Sequence, residues 1–150
     1  IKAEYDSTDE KPVEIFVDSI GLGAGVVDRL RELGLPAYGI NVAESPSMGT
    51  QYLNLRSELW YKAKNWLEGR DVRIPRDPGL RSELVTVRYS YSSNGRVKIE
   101  SKRDLKKRGV ASPDSADAFV LTFASDAGAA MGVRSGRRTG KVKRNLAGVV

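Results

Sequence analysis

Apolar and polar positions follow different rhythms along this chain, and each rhythm predicts a different element. Residues 13–17 (VEIFV) form an almost unbroken apolar run with β-branched and aromatic members, the pattern of a buried strand. Residues 21–25 (GLGAG) read as a loop. Val26, Val27, Leu30 and Leu33 then recur at helical spacing, with Gly34 and Pro36 as stop signals. Residues 37–42 (AYGINV) read as a second strand. Strand, helix and strand at this length predict a βαβ unit with parallel strands.

The rhythm returns to helical after the Pro46 loop. Leu55, Leu59, Ala63, Trp66 and Leu67 predict one long amphipathic helix over residues 50–68, closed by Gly69. Residues 70–80 hold Pro75, Pro78 and Gly79 and read as loop. Val85, Val87, Tyr89 and Tyr91 alternate, as do Val97 and Ile99, on either side of Asn94-Gly95. That predicts a half-solvated antiparallel hairpin over residues 84–91 and 96–101, since Asn-Gly suits a tight turn. Residues 104–108 (DLKKR) predict a short basic helical turn. Ser112 as N-cap and Pro113 as first helical residue predict a last helix through residues 118–124. It is apolar nearly all round, so it must be buried against the sheet. Residues 1–11 are polar and acidic and read as a frayed end or connecting loop.

Composition adds exclusions. The chain of 150 residues is 40% hydrophobic and 29% charged, a globular composition long enough for one core. No apolar run reaches the roughly 18–20 residues that span a bilayer, so no membrane partner is expected. No secretory or transit signal is visible. The opening residue, Ile1, is expected of a piece of a longer polypeptide.

The absence of cysteine excludes disulfides, thiolate nucleophiles and thiolate-bound zinc. The absence of histidine excludes a Ser-His-Asp triad, an imidazole base and a histidine-ligated metal. Hydrolytic chemistry must therefore rest on carboxylates, lysines or hydroxyls, and carboxylate and water ligands favour Mg²⁺ or Mn²⁺. The net charge of +6 is uneven: six basic residues against one acid from Asp126 onward leave only +1 for residues 1–125. Residues 126–150 read as a flexible basic tail.

Three acids are candidates for chemistry. Asp18 closes the first strand, where open α/β sheets bind ligands; it could also simply cap the following loop. Asp114 and Asp117 share the first turn of the last helix, where acids are ordinary dipole partners. If that helix packs beside the first strand, Asp18 and Asp117 converge, and such carboxylates repel unless cations intervene. Two divalent ions in a carboxylate cluster suit phosphodiester hydrolysis, one activating water and the other stabilising the leaving oxygen. The rival reading of the glycines is a dinucleotide loop with Glu44 on a ribose, but the spacing is G-x-G-x-G rather than G-x-G-x-x-G. Lys98, Lys102, Arg103, Lys106, Lys107 and Arg108 form a basic run before Asp114, either a solvated face or an attraction for a DNA backbone. Trp60, Tyr61 and Trp66 are expected in the core.

Taken in order, several blocks carry a resemblance: residues 15–30 (IFVDSIGLGAGVVDRL), 54–60 (NLRSELW), 99–102 (IESK), 107–109 (KRG) and 112–118 (SPDSADA). The series resembles the C-terminal nuclease domain of the large terminase subunit of tailed double-stranded DNA bacteriophages, particularly headful-packaging podophages of the P22 type. It covers about residues 12–125, leaving residues 126–150 as the tail. The resemblance implies an α/β, RNase H-like fold: a mixed β-sheet flanked by helices, with a β-hairpin before the last helix. It implies an endonuclease that cuts concatemeric viral DNA at the start and end of packaging, with a two-metal site of Mg²⁺ or Mn²⁺. Asp18 matches the family's second acidic position, Asp117 the last, and Asp114 a neighbour that can assist. Lys102, Lys106, Lys107 and Arg108 would meet the DNA. The implied partners are double-stranded viral DNA, a terminase ATPase domain in the same full-length chain, the small terminase subunit and the portal protein, in the host bacterial cytoplasm. The family's first metal-binding Asp lies on an earlier strand that residues 1–11 do not match. The chain is therefore expected to begin after that element or to lack it. No Walker A pattern of the ATPase occurs. The alternative function is a docking module that holds the portal or another packaging partner through the basic tail.

Overall fold

The computed structural model describes residues 1–69 and 72–125. The predicted βαβ unit is present: β1 (Ile15–Asp18), α2 (Gly23–Glu32) and β2 (Ala37–Ile40), with β1 and β2 parallel and Asp18 opposite Ile40. A short helix, α1 (Lys2–Ser7), precedes them where the sequence suggested a frayed end. It joins the fold through Tyr5, which packs on the α2 core.

Strand alternation sorts β1 between two cores. Ile15 and Val17 face α2, joining Val27, Leu30, Leu35 and Ala37. Phe16 faces the opposite way, with Ile40, toward the larger core. A period of two puts Asp18 on the Phe16 side, away from α2.

The larger core is built from α3 (Leu55–Glu68), α4 (Pro78–Thr86), the hairpin of β3 (Tyr89–Tyr91) and β4 (Val97–Ile99), and α6 (Asp114–Leu121). The last helix packs against α4, α3 and β1, as its all-round apolar sequence requires. Phe119 is fully buried, and Trp66, Phe119 and Phe123 stack with ring centroids 5.5–6.0 Å apart. Another short helix, α5 (Lys102–Lys107), links hairpin to α6, capped by the Ser101 hydroxyl accepting from the Asp104 N–H at 3.1 Å.

Several boundaries differ from expectation for identifiable reasons. The α3 helix begins at Leu55, not near residue 50, because Asn54 is its N-cap and accepts from the Ser57 N–H at 3.0 Å. Residues 78–86 are helical rather than loop and strand: Pro78 occupies the first turn and the Asp77 carboxylate accepts from the Gly79 and Leu80 N–H groups. Pro78 is thus a helix start, and Val85 lies exposed on a helix instead of alternating along a strand. The sheet is also smaller than a continuous mixed sheet. Among the described residues it comprises the parallel pair and the antiparallel pair, with a single bridge from Tyr52 to Val97.

Two glycines shape the turn after β1. Gly21 has φ +66°, a left-handed conformation that side chains disfavour. Gly23 opens α2 rather than lying in a loop before it. A Cβ on Gly23 would stand 1.7 Å from the Asp18 carbonyl oxygen, so only glycine allows helix and strand end to approach this closely. The glycines serve backbone packing around Asp18. The basic tail of the sequence reading, residues 126–150, lies outside the described residues.

Candidate active site

The packing of α6 on the Phe16 side of β1 brings the three predicted acids to one cavity of about 540 Å³. Asp18, Asp114 and Asp117 line it with Ile20, Arg56, Ser101 and Lys102, over an apolar floor that includes Val42, Leu59 and Leu121. All three acids thus lie on the wall of one cavity.

Each acid is held differently. Asp18 folds one carboxylate oxygen back onto the Ile20 N–H at 3.1 Å, an Asx turn that starts the glycine-bearing bend. Asp18 thus caps the local turn, as one of its two readings expected, and also lines the cavity. Asp114 is the first residue of α6. The helix is capped by Pro113 without a side-chain bond, and Ser112, expected as the N-cap, instead donates its hydroxyl to Asp114 at 2.6 Å. That bond, with the Lys102 ammonium at 3.1 Å, keeps the Asp114 carboxyl below its ordinary pKa. The orphan N–H of Ala116 is satisfied from α4, by the Glu83 carboxylate at 2.8 Å.

Asp117, one turn further on, is the most constrained. Its Oδ1 accepts from Arg56 Nε at 3.2 Å, from a second Arg56 nitrogen at 2.9 Å, and from Trp60 Nε1 at 3.0 Å. Its Oδ2 lies 3.5 Å from Lys102 Nζ. Partial burial pulls the Lys102 ammonium downward, but Asp114 and Asp117 outweigh it and hold its pKa above the usual lysine value.

The 54–60 block has a physical role at every position. Asn54 caps α3; Leu55 and Leu59 enter the core; Arg56 and Trp60 reach Asp117. The buried Ser57 hydroxyl accepts from the Ile99 N–H at 3.2 Å. The buried Glu58 carboxylate gathers the preceding loop, accepting from the Ser47 N–H at 2.6 Å and from the Ser47 hydroxyl, and pairing with Lys62 at 2.9 Å. Arg56 and Trp60 were not identified as site residues from the sequence. The signal was present: a guanidinium and an indole four apart project from one helix face, beside the apolar pair Leu55 and Leu59.

The predicted basic contacts separate. Lys102 belongs to the cavity. Lys107 pairs with Asp104 at 2.9 Å, and Arg108 forks onto Glu100, each bond 2.7 Å, while also donating to the Thr86 carbonyl. Arg108 holds the Glu100 carboxyl below its ordinary pKa. Lys106 is exposed, and none of Lys106, Lys107 and Arg108 lines the cavity.

The donor chemistry suits a hard divalent cation. Asp18 and Asp117 each commit one oxygen to N–H donors. The second oxygen of Asp117 meets the Lys102 ammonium at 3.5 Å, long for a hydrogen bond and open to displacement by a cation. Two carboxylates with water and phosphate oxygens are an ordinary magnesium environment. No group of three or more acidic side chains able to hold a metal ion occurs among the described residues. The carboxylates present therefore fall short of the two-ion cluster of the sequence reading.

In class, the chain is an α/β protein of the RNase H-like kind, with acids gathered at the carboxyl end of a parallel strand. The solved structures that it matches include the nuclease domain of the large terminase subunit gp2 of bacterial virus Sf6, with TM-score 0.62 and 23% identity over 73% of this chain. Mutant forms of that domain, one with manganese and one with calcium, match at TM-score 0.62 and 22% identity. The chain spans 64% of the Sf6 domain's length. No protein-family model matches, and no curated protein does. The chain therefore has the fold of a phage terminase nuclease domain. No helix among the described residues is long and apolar enough to cross a membrane.

Proposed function

We propose that this chain is the metal-dependent endonuclease domain of a viral DNA-packaging terminase, acting on double-stranded DNA. The observation that carries the reading is the shared cavity of Asp18, Asp114, Asp117 and Lys102 on a terminase-nuclease scaffold. Asp18 and Asp117 would hold Mg²⁺ or Mn²⁺, with Asp114 assisting. When bound, such ions activate water and stabilise the leaving oxygen of a phosphodiester. A two-ion arrangement is part of the proposal and requires a further ligand beyond these residues.

The protein's own groups supply the rest. One oxygen of Asp18 is anchored by its turn and one of Asp117 by α3, which limits the rotation of each carboxylate. Lys102, half-exposed and shared by two acids, balances their charge and can swing to a phosphate oxygen. In packaging, the DNA would be the viral concatemer, and the ATPase domain, small subunit and portal would be the partners.

Cleavage of supercoiled plasmid in Mn²⁺ tests the reading. Asp18→Asn and Asp117→Asn should each abolish nicking, and chelation should do the same. Full cleavage by both variants would refute the assignment.

A further inference from the structure

Asp117 is held by residues that no step above assigns to the reaction. Arg56 and Trp60 send three N–H groups to a single oxygen, Oδ1, and none to Oδ2. The Arg56 fork is itself fixed: its remaining nitrogen donates to the Glu100 carbonyl at 2.7 Å, and its backbone N–H donates to the Val42 carbonyl at 2.9 Å. The guanidinium also lies over the Trp60 ring, 5.7 Å from its centroid. Arg56 thus ties together the exit of β2, the end of β4 and the first turn of α6. Both side chains of the ion pair are largely buried, 14% and 19% exposed.

We infer that Arg56 and Trp60 are positioning residues for the ion-holding carboxylate: they saturate Oδ1 of Asp117 and so present Oδ2 to the cavity. The inference rests on the nuclease reading of Asp117. A carboxylate on a helix can rotate about its terminal torsion, which is soft. Three donors on one oxygen remove that freedom. Lysine cannot replace Arg56, because its single nitrogen cannot reproduce the planar fork that reaches Oδ1 and the Glu100 carbonyl from three separate nitrogens.

The test is Mn²⁺ binding by calorimetry, with plasmid cleavage in parallel and circular dichroism to confirm folding. Arg56→Lys keeps the charge and loses the fork. Trp60→Phe keeps an aromatic ring and loses the N–H. Each should weaken Mn²⁺ binding by about tenfold or more, the size typical of lost partners around a metal ligand. Two variants at different positions guard against misfolding of one. If the parent binds Mn²⁺, Asp117→Asn abolishes binding, and both folded variants bind like the parent, positioning is overturned while the nuclease reading stands. If the parent itself binds no Mn²⁺ and cuts no DNA, the nuclease reading falls, and this inference with it.

Discussion

Arg56 and Asp117 stand 61 positions apart and form an ion pair at 2.9 Å across the wall of the cavity. The pair joins the start of α3 to the start of α6, so the geometry of one acid depends on two helices. Asparagine at 117 keeps an oxygen that can accept from Arg56 and Trp60, whereas alanine removes the acceptor that both share. Asp117→Ala should therefore be less stable than Asp117→Asn by about 1–3 kcal/mol, measured by urea unfolding. Both should lose cleavage equally.

The glycines of the β1–α2 turn should respond in opposite ways. Gly23→Ala drives a methyl group against the Asp18 carbonyl, so strand or helix must move. Stability and cleavage should fall together. Gly25 sits in the same helix, and a methyl group there would meet nothing within 4 Å. Gly25→Ala should stabilise by about 0.5–1 kcal/mol through helix propensity and leave cleavage intact. Thermal melts and a nicking assay on the two variants check the contrast.

Phe119 anchors α6 between Trp66 and Phe123 and is fully buried. Truncation to alanine should cost about 3–5 kcal/mol. Since α6 carries Asp114 and Asp117, any cleavage remaining at low temperature should disappear as the variant unfolds. Parallel unfolding and activity curves would show it.

Glu58 contributes to the acid limb of stability, together with the likewise lowered Glu100 and Asp114. Burial alone would raise its pKa, but the Ser47 bonds and Lys62 outweigh it and leave the carboxyl below its ordinary value. A folded pKa below the unfolded one means stabilisation at pH values above the unfolded value, about 4.3, and its loss as pH falls through the folded value. Glu58→Gln should therefore lower the melting temperature at neutral pH and flatten its fall below about pH 4. An unchanged acid slope in the variant would assign that limb to other carboxylates.

Much of the candidate site was legible because it is written in local pattern. An apolar run closed by Asp18 predicts an acid at a strand end, and a polar first turn on an apolar helix predicts acids facing whatever that helix packs against. The less legible parts were those where a local signal had two meanings. Pro78 was read as a loop residue, yet after the capping Asp77 it starts a helix. Gly23 looked like loop glycine and is a helix residue in tight contact with a strand. Trp60 was read as a core ring and Arg56 was given no role of its own; their shared target lies on another helix.

The parallel βαβ unit, the hairpin turn, the buried last helix and the absence of histidine and thiol chemistry can all be read along the chain. These follow from side-chain period, turn stereochemistry and residue inventory, which act over a few neighbours. Packing in three dimensions set which face of β1 meets α6, that Lys102 bridges Asp114 and Asp117 while Arg108 is held by Glu100, and that α3 secures one oxygen of Asp117. Those outcomes depend on hydrogen-bond direction between distant segments, and a direction in space has no period along the chain.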